Sequence, residues 1–251
     1  MRIAMPAGYV QILSVAVGLV VWQLVGMTVL RNSLFLVPLS DVLRAEYRWF
    51  VGGTIWYHLY VSGAEFLVGF TLASLAGIGI GALMGMSKTG YQILNPWIAL
   101  LYSTPLVAIT PLYILVFGID IASKAALVFT IAIFTVIVNT AAGFRAAEAK
   151  YVELGRAFGA PPLQMVTRIM FPSAAPYILT GLRLASGRAI IGVVVGEFFI
   201  ARAGIGFLIA QAAASFQIAD LFAGVLLLAL AGLLCFRFFE WLEVRIAPWR
   251  T

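Results

Sequence analysis

The chain has 251 residues, of which 63% are hydrophobic and 10% are charged, and its mean hydropathy is +1.05. Soluble domains carry about a quarter charged residues, so this composition excludes a soluble protein and predicts an all-α, polytopic membrane protein with one domain over residues 1–251. The net charge of +6 does not indicate nucleic-acid binding, because the basic residues stand singly at the ends of apolar runs.

The cysteine and histidine content gives little support to metal or disulfide chemistry. The chain has one cysteine, Cys235, and one histidine, His58. This content excludes an intrachain disulfide and predicts no metal site and no histidine-based catalytic triad. We expect Cys235 to be packed or lipid-facing, and His58 to be a polar tip at the membrane interface.

The apolar runs predict about six membrane-spanning helices. The first covers residues 9–30, which suits a spanning helix better than a signal-peptide core. A mixed interval follows, in which Asp41 is predicted to cap a short helix and Trp49 and Trp56 to lie at the membrane interface. The remaining spans are predicted within residues 58–241.

The second predicted span, residues 58–86, is rich in glycine. Gly77, Gly81 and Gly85 recur every four residues and predict a stripe for close helix packing. The next tripeptide, residues 87–89, lacks the glycine that stands before the lysine of a P-loop. We therefore expect no ATP or other cofactor bound to this chain.

The third predicted span is interrupted. No charge occurs between Lys88 and Asp120, and three prolines in this interval predict a bent or broken helix. Non-helical backbone at membrane depth requires cover by protein or by a water-filled cavity. Ser103, Thr104 and Pro105 are therefore the first candidates for a translocation path, with a simple proline kink as the alternative.

The last three spans are predicted over residues 123–144, 174–200 and 219–241, with a loop and a short helix over residues 207–215 before the last. Asn139 is the one strongly polar side chain of the fourth span. We expect it to bond a neighbouring helix or, alternatively, to line the path. Lysines and arginines are more frequent on one side, which predicts that both termini and the polar interval 145–172 are cytoplasmic.

Charged residues inside the predicted spans are costly and are expected to be paired or functional. Arg188 and Glu197 lie nine residues apart, on nearly opposite faces of the fifth span, so they cannot pair within it. Glu65 is expected to pair with Arg188, with substrate contact as the alternative. Glu197 is predicted near the outer end, where a gate would lie, and Arg183 is expected to reach the cytoplasmic surface.

The polar interval 145–172 has a small architecture of its own. A helix-compatible piece over residues 146–158 meets a flexible point at Gly159. Pro161 and Pro162 then suit the first turn of a second helix. The apolar residues of that helix recur on one face, and Pro172 is expected to close the unit.

These residues resemble the cytoplasmic loop of ABC-importer permeases, which has the pattern E-A-A, then a glycine, then I-x-L-P. Glu153, Gly159, Ile169 and Pro172 are in register with it, whereas Leu154-Gly155 replaces the two alanines and Phe171 replaces the leucine. The run P-S-A-A-P-Y-I-L-T-G-L-R over residues 172–183 is similar to the nitrate, sulfonate and taurine type. In that family an arginine is common where this chain has Glu65.

The resemblance implies the type I ABC importer permease fold and a non-catalytic transport subunit of a bacterial inner membrane. Its solute would be small and anionic, such as a sulfonate, nitrate or an aromatic acid. The implied partners are two ATPase subunits that carry ATP and Mg, a second permease copy or homologue, the lipid bilayer, and an extracytoplasmic binding protein. The binding protein would dock against residues 31–56 and 201–217. The implied ATPase-coupling positions are Glu153, Gly155, Arg156, Ala157, Phe158, Gly159, Ala160, Pro161, Leu163, Ile169 and Pro172.

Two other classes compete with this interpretation. An ion-coupled secondary transporter would use Glu65, Arg188 and Glu197 as coupling charges, but the two halves show no inverted repeat of broken helices, and the loop would have no purpose. A structural membrane protein would leave the charges inside the spans unexplained.

Overall fold

The computed structural model describes residues 7–28, 36–146 and 149–247, which are almost entirely helical. The predicted all-α class is confirmed. The helices are α1 (Ala7–Thr28), α2 (Leu39–Val51), α3 (Thr54–Met86), α4 (Lys88–Ser103), α5 (Thr110–Phe117), α6 (Ile121–Arg145), α7 (Ala149–Ala157), α8 (Pro162–Met165), α9 (Phe171–Ile200), α10 (Ile205–Ala214) and α11 (Ile218–Ile246). A 3₁₀ turn, Leu106–Ile109, precedes α5, and a π turn, Val166–Met170, links α8 to α9.

Within the described ranges, five stretches are long and apolar enough to cross a membrane, namely those of α1, α3, α6, the continuous α8–α9 helix and α11. The helices α4 and α5 form a sixth span if they are counted as one, and they are bent by 80° at the break between them. The interrupted third span predicted from its prolines is therefore confirmed, and the break falls at Thr104 and Pro105. Residues 29 and 30 of the predicted first span lie outside the described residues.

The core of the bundle is α6, which packs between α3 and α9. Most of α6 is buried, whereas α1 and α11 expose most of their apolar surface. The predicted stripe of Gly77, Gly81 and Gly85 faces α6, because a Cβ on these glycines would meet α6 atoms at about 3 Å or less, and Gly69 continues the stripe beyond the prediction. The facing pairs are Gly69 with Val128, Gly77 with Val136, Gly81 with Thr140, and Gly85 with Phe144.

Two sequence predictions about helix ends are wrong. Pro172 does not close a unit, because it lies in the first turn of α9, where its missing N–H is tolerated directly after the π turn. The helix therefore continues from Pro162 into the fifth span. Asp41 does not cap α2 either. Pro38 occupies the cap position, and Asp41 lies in the first turn, 3.0 Å from Arg44.

The helix directions define two ends of the bundle. The loop end carries α7, α8 and the π turn, together with the last turns of α3, α6 and α11. The opposite end carries α2, α10 and the first turns of α3, α6 and α11. At the loop end, Arg183 of α9 lies 3.5 Å from Glu243 of α11, so this arginine is paired within the protein.

Candidate functional site

At the loop end, the chain turns sharply between α7 and α8. Gly159 has φ +69°, and its N–H donates to the carbonyl of Arg156 over 2.9 Å. Ala160 donates to the carbonyl of Gly155 over the same distance. No atom of the described residues lies within 4 Å of the point where a Cβ of Gly159 would stand. The left-handed backbone conformation, and not a lack of space, therefore favours glycine here.

Gly155 has the opposite reason for being glycine. A Cβ at Gly155 would lie 2.5 Å from Sδ of Met165 and 2.9 Å from Cδ1 of Ile169. The helix α7 thus approaches the following helical segment closely at this point, and Met165 is buried there. The departure from the second alanine of the family pattern is consistent with this close contact.

The turn exposes large apolar side chains that the described residues do not cover. Phe158 is 82% exposed and Leu163 is 74% exposed. A cleft of about 340 Å³ separates α7 from the start of α9, with Tyr151 and Ile169 on its walls. An exposed apolar patch next to a cleft is typical of a surface that another protein covers. Of the other predicted loop positions, Glu153, Arg156, Ala157, Gly159 and Pro161 are exposed, and Gly155, Ala160, Ile169 and Pro172 are half-buried.

At the opposite end, Glu65 is fully buried and pairs with Lys124, with 2.5 Å between Oε1 and Nζ. The predicted pair of Glu65 with Arg188 is therefore wrong. Glu65 and Lys124 are 59 residues apart, the same separation as every facing pair of the glycine stripe. Glu65 therefore extends the stripe by one step toward the opposite end, and the α3–α6 register brings it to Lys124.

A second buried network joins α3, α9 and α10. The carboxylate of Glu197 accepts a hydrogen bond from the hydroxyl of Ser62 and another from the N–H of Gly206, both over 2.5 Å. Ser62 in turn accepts from the N–H of Ile205 over 2.8 Å. Glu197 therefore satisfies, directly and through Ser62, two of the free N–H groups at the start of α10. This position agrees with the predicted location of Glu197 near one end of its span.

His58 completes this network. Its Nδ1 accepts from the N–H of Gly204 over 2.9 Å, and its ring stacks on Phe207 with 6.1 Å between centroids. His58 lies near the start of α3, at one end of the span, but its binding to Gly204 and its stacking on Phe207 were not predicted from the sequence. Sequence reasoning also missed Ser62, Lys124 and Gly204, because their partners are 59 to 146 residues away along the chain.

The remaining path candidates form another group. Arg188 is exposed on α9, and its guanidinium lies 4.8 Å from the centre of the Tyr102 ring. Tyr102 directly precedes Ser103, Thr104 and Pro105, all of which are exposed at the α4–α5 break. The two hydroxyls donate to carbonyls of their own helix. Among the described residues, Arg188 has no carboxylate partner.

Asn139 does not belong to this group. Its amide donates to the carbonyl of Thr135 in its own helix over 2.8 Å. The expected hydrogen bond to a neighbouring helix is therefore absent within the described part of the chain. The side chain still contributes to helix packing, because its Cβ lies 2.7 Å from the point where a Cβ of Gly181 on α9 would stand.

An apolar helical bundle with a broken span, charges within its spans and an exposed helical turn at one end has the architecture of a membrane transport subunit. The comparisons with known proteins define the family. Residues 73–250 match the family model described as binding-protein-dependent transport system inner membrane component. The chain belongs to this family and is the permease subunit of an ABC importer.

Curated relatives agree over most of the chain. A Bacillus subtilis protein named as an aliphatic sulfonates transport permease, SsuC, is 34% identical over 94% of this chain and 86% of its own length. The taurine transport system permease protein TauC of Escherichia coli is 32% identical over 94% of this chain and 88% of its own length. The nitrate import permease protein NrtB of Synechocystis sp. is 31% identical with the same coverage.

The fold is also similar to a solved structure. A chain from an inward-facing conformation of the MetNI methionine ABC transporter superposes with a TM-score of 0.67 and 16% sequence identity. The superposition covers 75% of this chain and 94% of that chain. The permease fold implied by the sequence resemblance is thereby confirmed.

Proposed function

We propose that the turn at the loop end is the surface through which ATP hydrolysis drives this permease. The observation that carries the proposal is the exposed pair Phe158 and Leu163 beside a Gly159 bend with left-handed backbone geometry. The helix that begins at Pro162 continues into the fifth span. A partner that moves the turn would therefore move α9 directly.

The partner that fits this surface is a pair of ATPase subunits, one for each of two permease copies, with ATP and Mg bound to the ATPases. The excess of lysine and arginine at the loop end supports a cytoplasmic position for it and for both termini. The opposite end would then be extracytoplasmic. There the binding protein would deliver its solute against residues 31–56 and 201–217, which include α2 and α10.

The solute path would pass the α4–α5 break. Arg188 supports this location, because an exposed arginine in the middle of a span requires water, a second subunit or an anion in place of lipid. The relatives' names refer to aliphatic sulfonates, taurine and nitrate. A sulfonate or nitrate group carries a negative charge that a guanidinium binds well. We therefore propose a small anionic solute of this kind.

The test of the coupling surface is a pair of nearly isosteric variants at Gly159. Asparagine and aspartate both tolerate left-handed backbone geometry, so Gly159→Asn and Gly159→Asp differ mainly in charge. We expect Gly159→Asp to reduce recovery of ATPase activity with the tagged chain by at least about tenfold, because it places an unpaired charge in an apolar contact. Gly159→Asn should retain most of it.

The measurement is a pull-down from mild detergent, followed by mass spectrometry and an ATPase assay on the eluate. Size-exclusion profiles of both variants should match the unmodified chain, which shows that the bundle is intact. Equal ATPase recovery with both variants would refute the docking role of the turn. An ATPase-free chain that still supports uptake driven by an ion gradient would instead favour the secondary transporter.

A further inference from the structure

The hydrogen bond between His58 and Gly204 has a consequence for pH. Because Nδ1 of His58 accepts from a backbone N–H, that nitrogen must be unprotonated and the ring proton must be on Nε2. Acid adds a proton to an imidazole, and the protonated ring has an N–H group at both nitrogens and no acceptor. Acid therefore removes this hydrogen bond, and the N–H of Gly204 then faces an N–H of the ring.

The surrounding groups show what this bond holds in place. Gly204 has φ +123°, and a Cβ there would overlap the Glu197 carboxylate, so the backbone fits tightly between His58 and Glu197. The next two N–H groups, of Ile205 and Gly206, are bound by Ser62 and Glu197. Three successive backbone N–H groups at the start of α10 are thus fixed by side chains of α3 and α9.

Two aromatic rings and several charged groups surround this contact, and Asp120 lies in the cleft that Tyr57 and Arg202 also line. The ring of Phe207, from α10, stacks on His58 within 9° of parallel, and the ring of Tyr57 lies edge-on from α3 itself. Glu197 of α9 lies beyond Gly204, the Glu65–Lys124 pair lies deeper between α3 and α6, and Arg202 precedes Gly204 in the same loop. His58 binds Gly204 itself, whereas Glu197 binds Gly206 and Ser62, so variants of His58 alone test the part of the imidazole in holding the loop.

We propose that His58, Ser62 and Glu197 form an acid-sensitive latch that fixes residues 204–206 and the start of α10 on α3. At neutral pH the latch is closed, and α10 is held in a fixed position. When the solvent at the opposite end becomes acidic, His58 is protonated, the Gly204 bond is lost and the three-residue segment detaches as a unit. This inference rests on the proposed function only for its effect on import, because α10 is part of the proposed docking surface for the binding protein.

Three versions of the full chain in lipid nanodiscs test the latch by hydrogen–deuterium exchange, with deuterated water as the probe. His58→Asn places an amide oxygen close to the position of Nδ1 and does not titrate, whereas His58→Leu has no acceptor. We expect peptides covering residues 204–208 of the unmodified chain to be protected at pH 8. At pH 5.5 they should lose protection several-fold after correction for intrinsic exchange, because protonation of the imidazole removes the acceptor of the Gly204 hydrogen bond.

The two variants should each lose the pH dependence of protection, but at opposite levels of protection. His58→Asn should remain protected at both pH values, and His58→Leu should be unprotected at both. Peptides from the middle of α6 should stay protected throughout, which excludes general unfolding in acid. The proposal is overturned if His58→Asn loses protection in acid as the unmodified chain does, or if protection of residues 204–208 does not change between pH 8 and pH 5.5.

The effect on import is measured on the assembled transporter in proteoliposomes, as ATP hydrolysis stimulated by the binding protein. Hydrolysis should be slower at an outer pH of 5.5 than at pH 8 for the unmodified chain and equal at both for His58→Asn. A rate that is the same at both pH values for the unmodified chain would refute the regulatory role. The exchange measurement needs no partner subunit, so its result does not depend on the proposed function. If the proposed function is wrong, the pull-down described above shows this separately.

Discussion

The two ends of the bundle differ in which side chains they bury and which they expose. At the opposite end, Glu65, Lys124 and Glu197 are almost completely buried, and each has a hydrogen-bond partner on another helix. At the loop end, Phe158 and Leu163 are left open to solvent. Buried charges with specific partners fix helices in one arrangement, whereas uncovered apolar area reserves a surface for another protein. One end therefore fixes the register between helices, and the other leaves open the apolar surface on which the proposed partner contact rests.

The largest effect is expected from breaking the charge pair of the opposite end. Lys124→Met leaves the carboxylate of Glu65 buried without its partner, and we expect it to destabilise the bundle by about 3–5 kcal/mol. The double variant Glu65→Leu/Lys124→Met removes both charges and should recover most of this loss. Thermal unfolding in detergent measures the effect, with Lys88→Met as the control, since Lys88 is exposed. A melting temperature for Lys124→Met equal to that of the control would show that the pair does not stabilise the fold.

A smaller effect is expected from the glycine stripe that sets the register between α3 and α6. A Cβ at Gly81 would lie 2.6 Å from Cβ of Thr140, whereas a Cβ at Gly79 would have no atom within 4 Å. We expect Gly81→Leu to cost about 1–3 kcal/mol through overpacking. Gly79→Leu, in the same helix, should be neutral or stabilising because leucine is a better helix former than glycine. Equal thermal stability of the two variants would contradict the packing seen between α3 and α6.

Local patterns in the sequence predicted the fold well. The prolines of residues 96–111 predicted the α4–α5 break, and the glycine period predicted the face of α3 that packs closely. The pair of Glu65 with Lys124 was not predictable in the same way, because it depends on the register between two helices that are far apart in sequence. Glu65 belongs to the four-residue period of the glycine stripe, but nothing local shows that Lys124 is the residue opposite.

The remaining errors have similar physical causes. Pro172 was expected to end a unit because proline usually breaks a helix, but a proline in a first turn after a π turn does not. The hydrogen bonds of Ser62 and His58 to the start of α10 arise from tertiary packing, which leaves no pattern in a single sequence. The path through Arg188 and the α4–α5 break remains a prediction.

The smallest effect on folding is expected at the loop end. Phe158 is 82% exposed, so Phe158→Ala should change the free energy of unfolding by less than about 0.5 kcal/mol. If the turn is the ATPase contact, the same change should weaken association by about 2 kcal/mol or more, as for an aromatic residue at the centre of an interface. Leu115→Ala is the matched control, because Leu115 is also 82% exposed but lies on α5, away from the turn. Both variants should have the same melting temperature as the unmodified chain, and only Phe158→Ala should reduce the ATPase activity recovered with the tagged chain. Equal recovery with both would show that apolar exposure at the turn reflects contact with lipid and not with a partner, and the contrast between the two ends would then need another explanation.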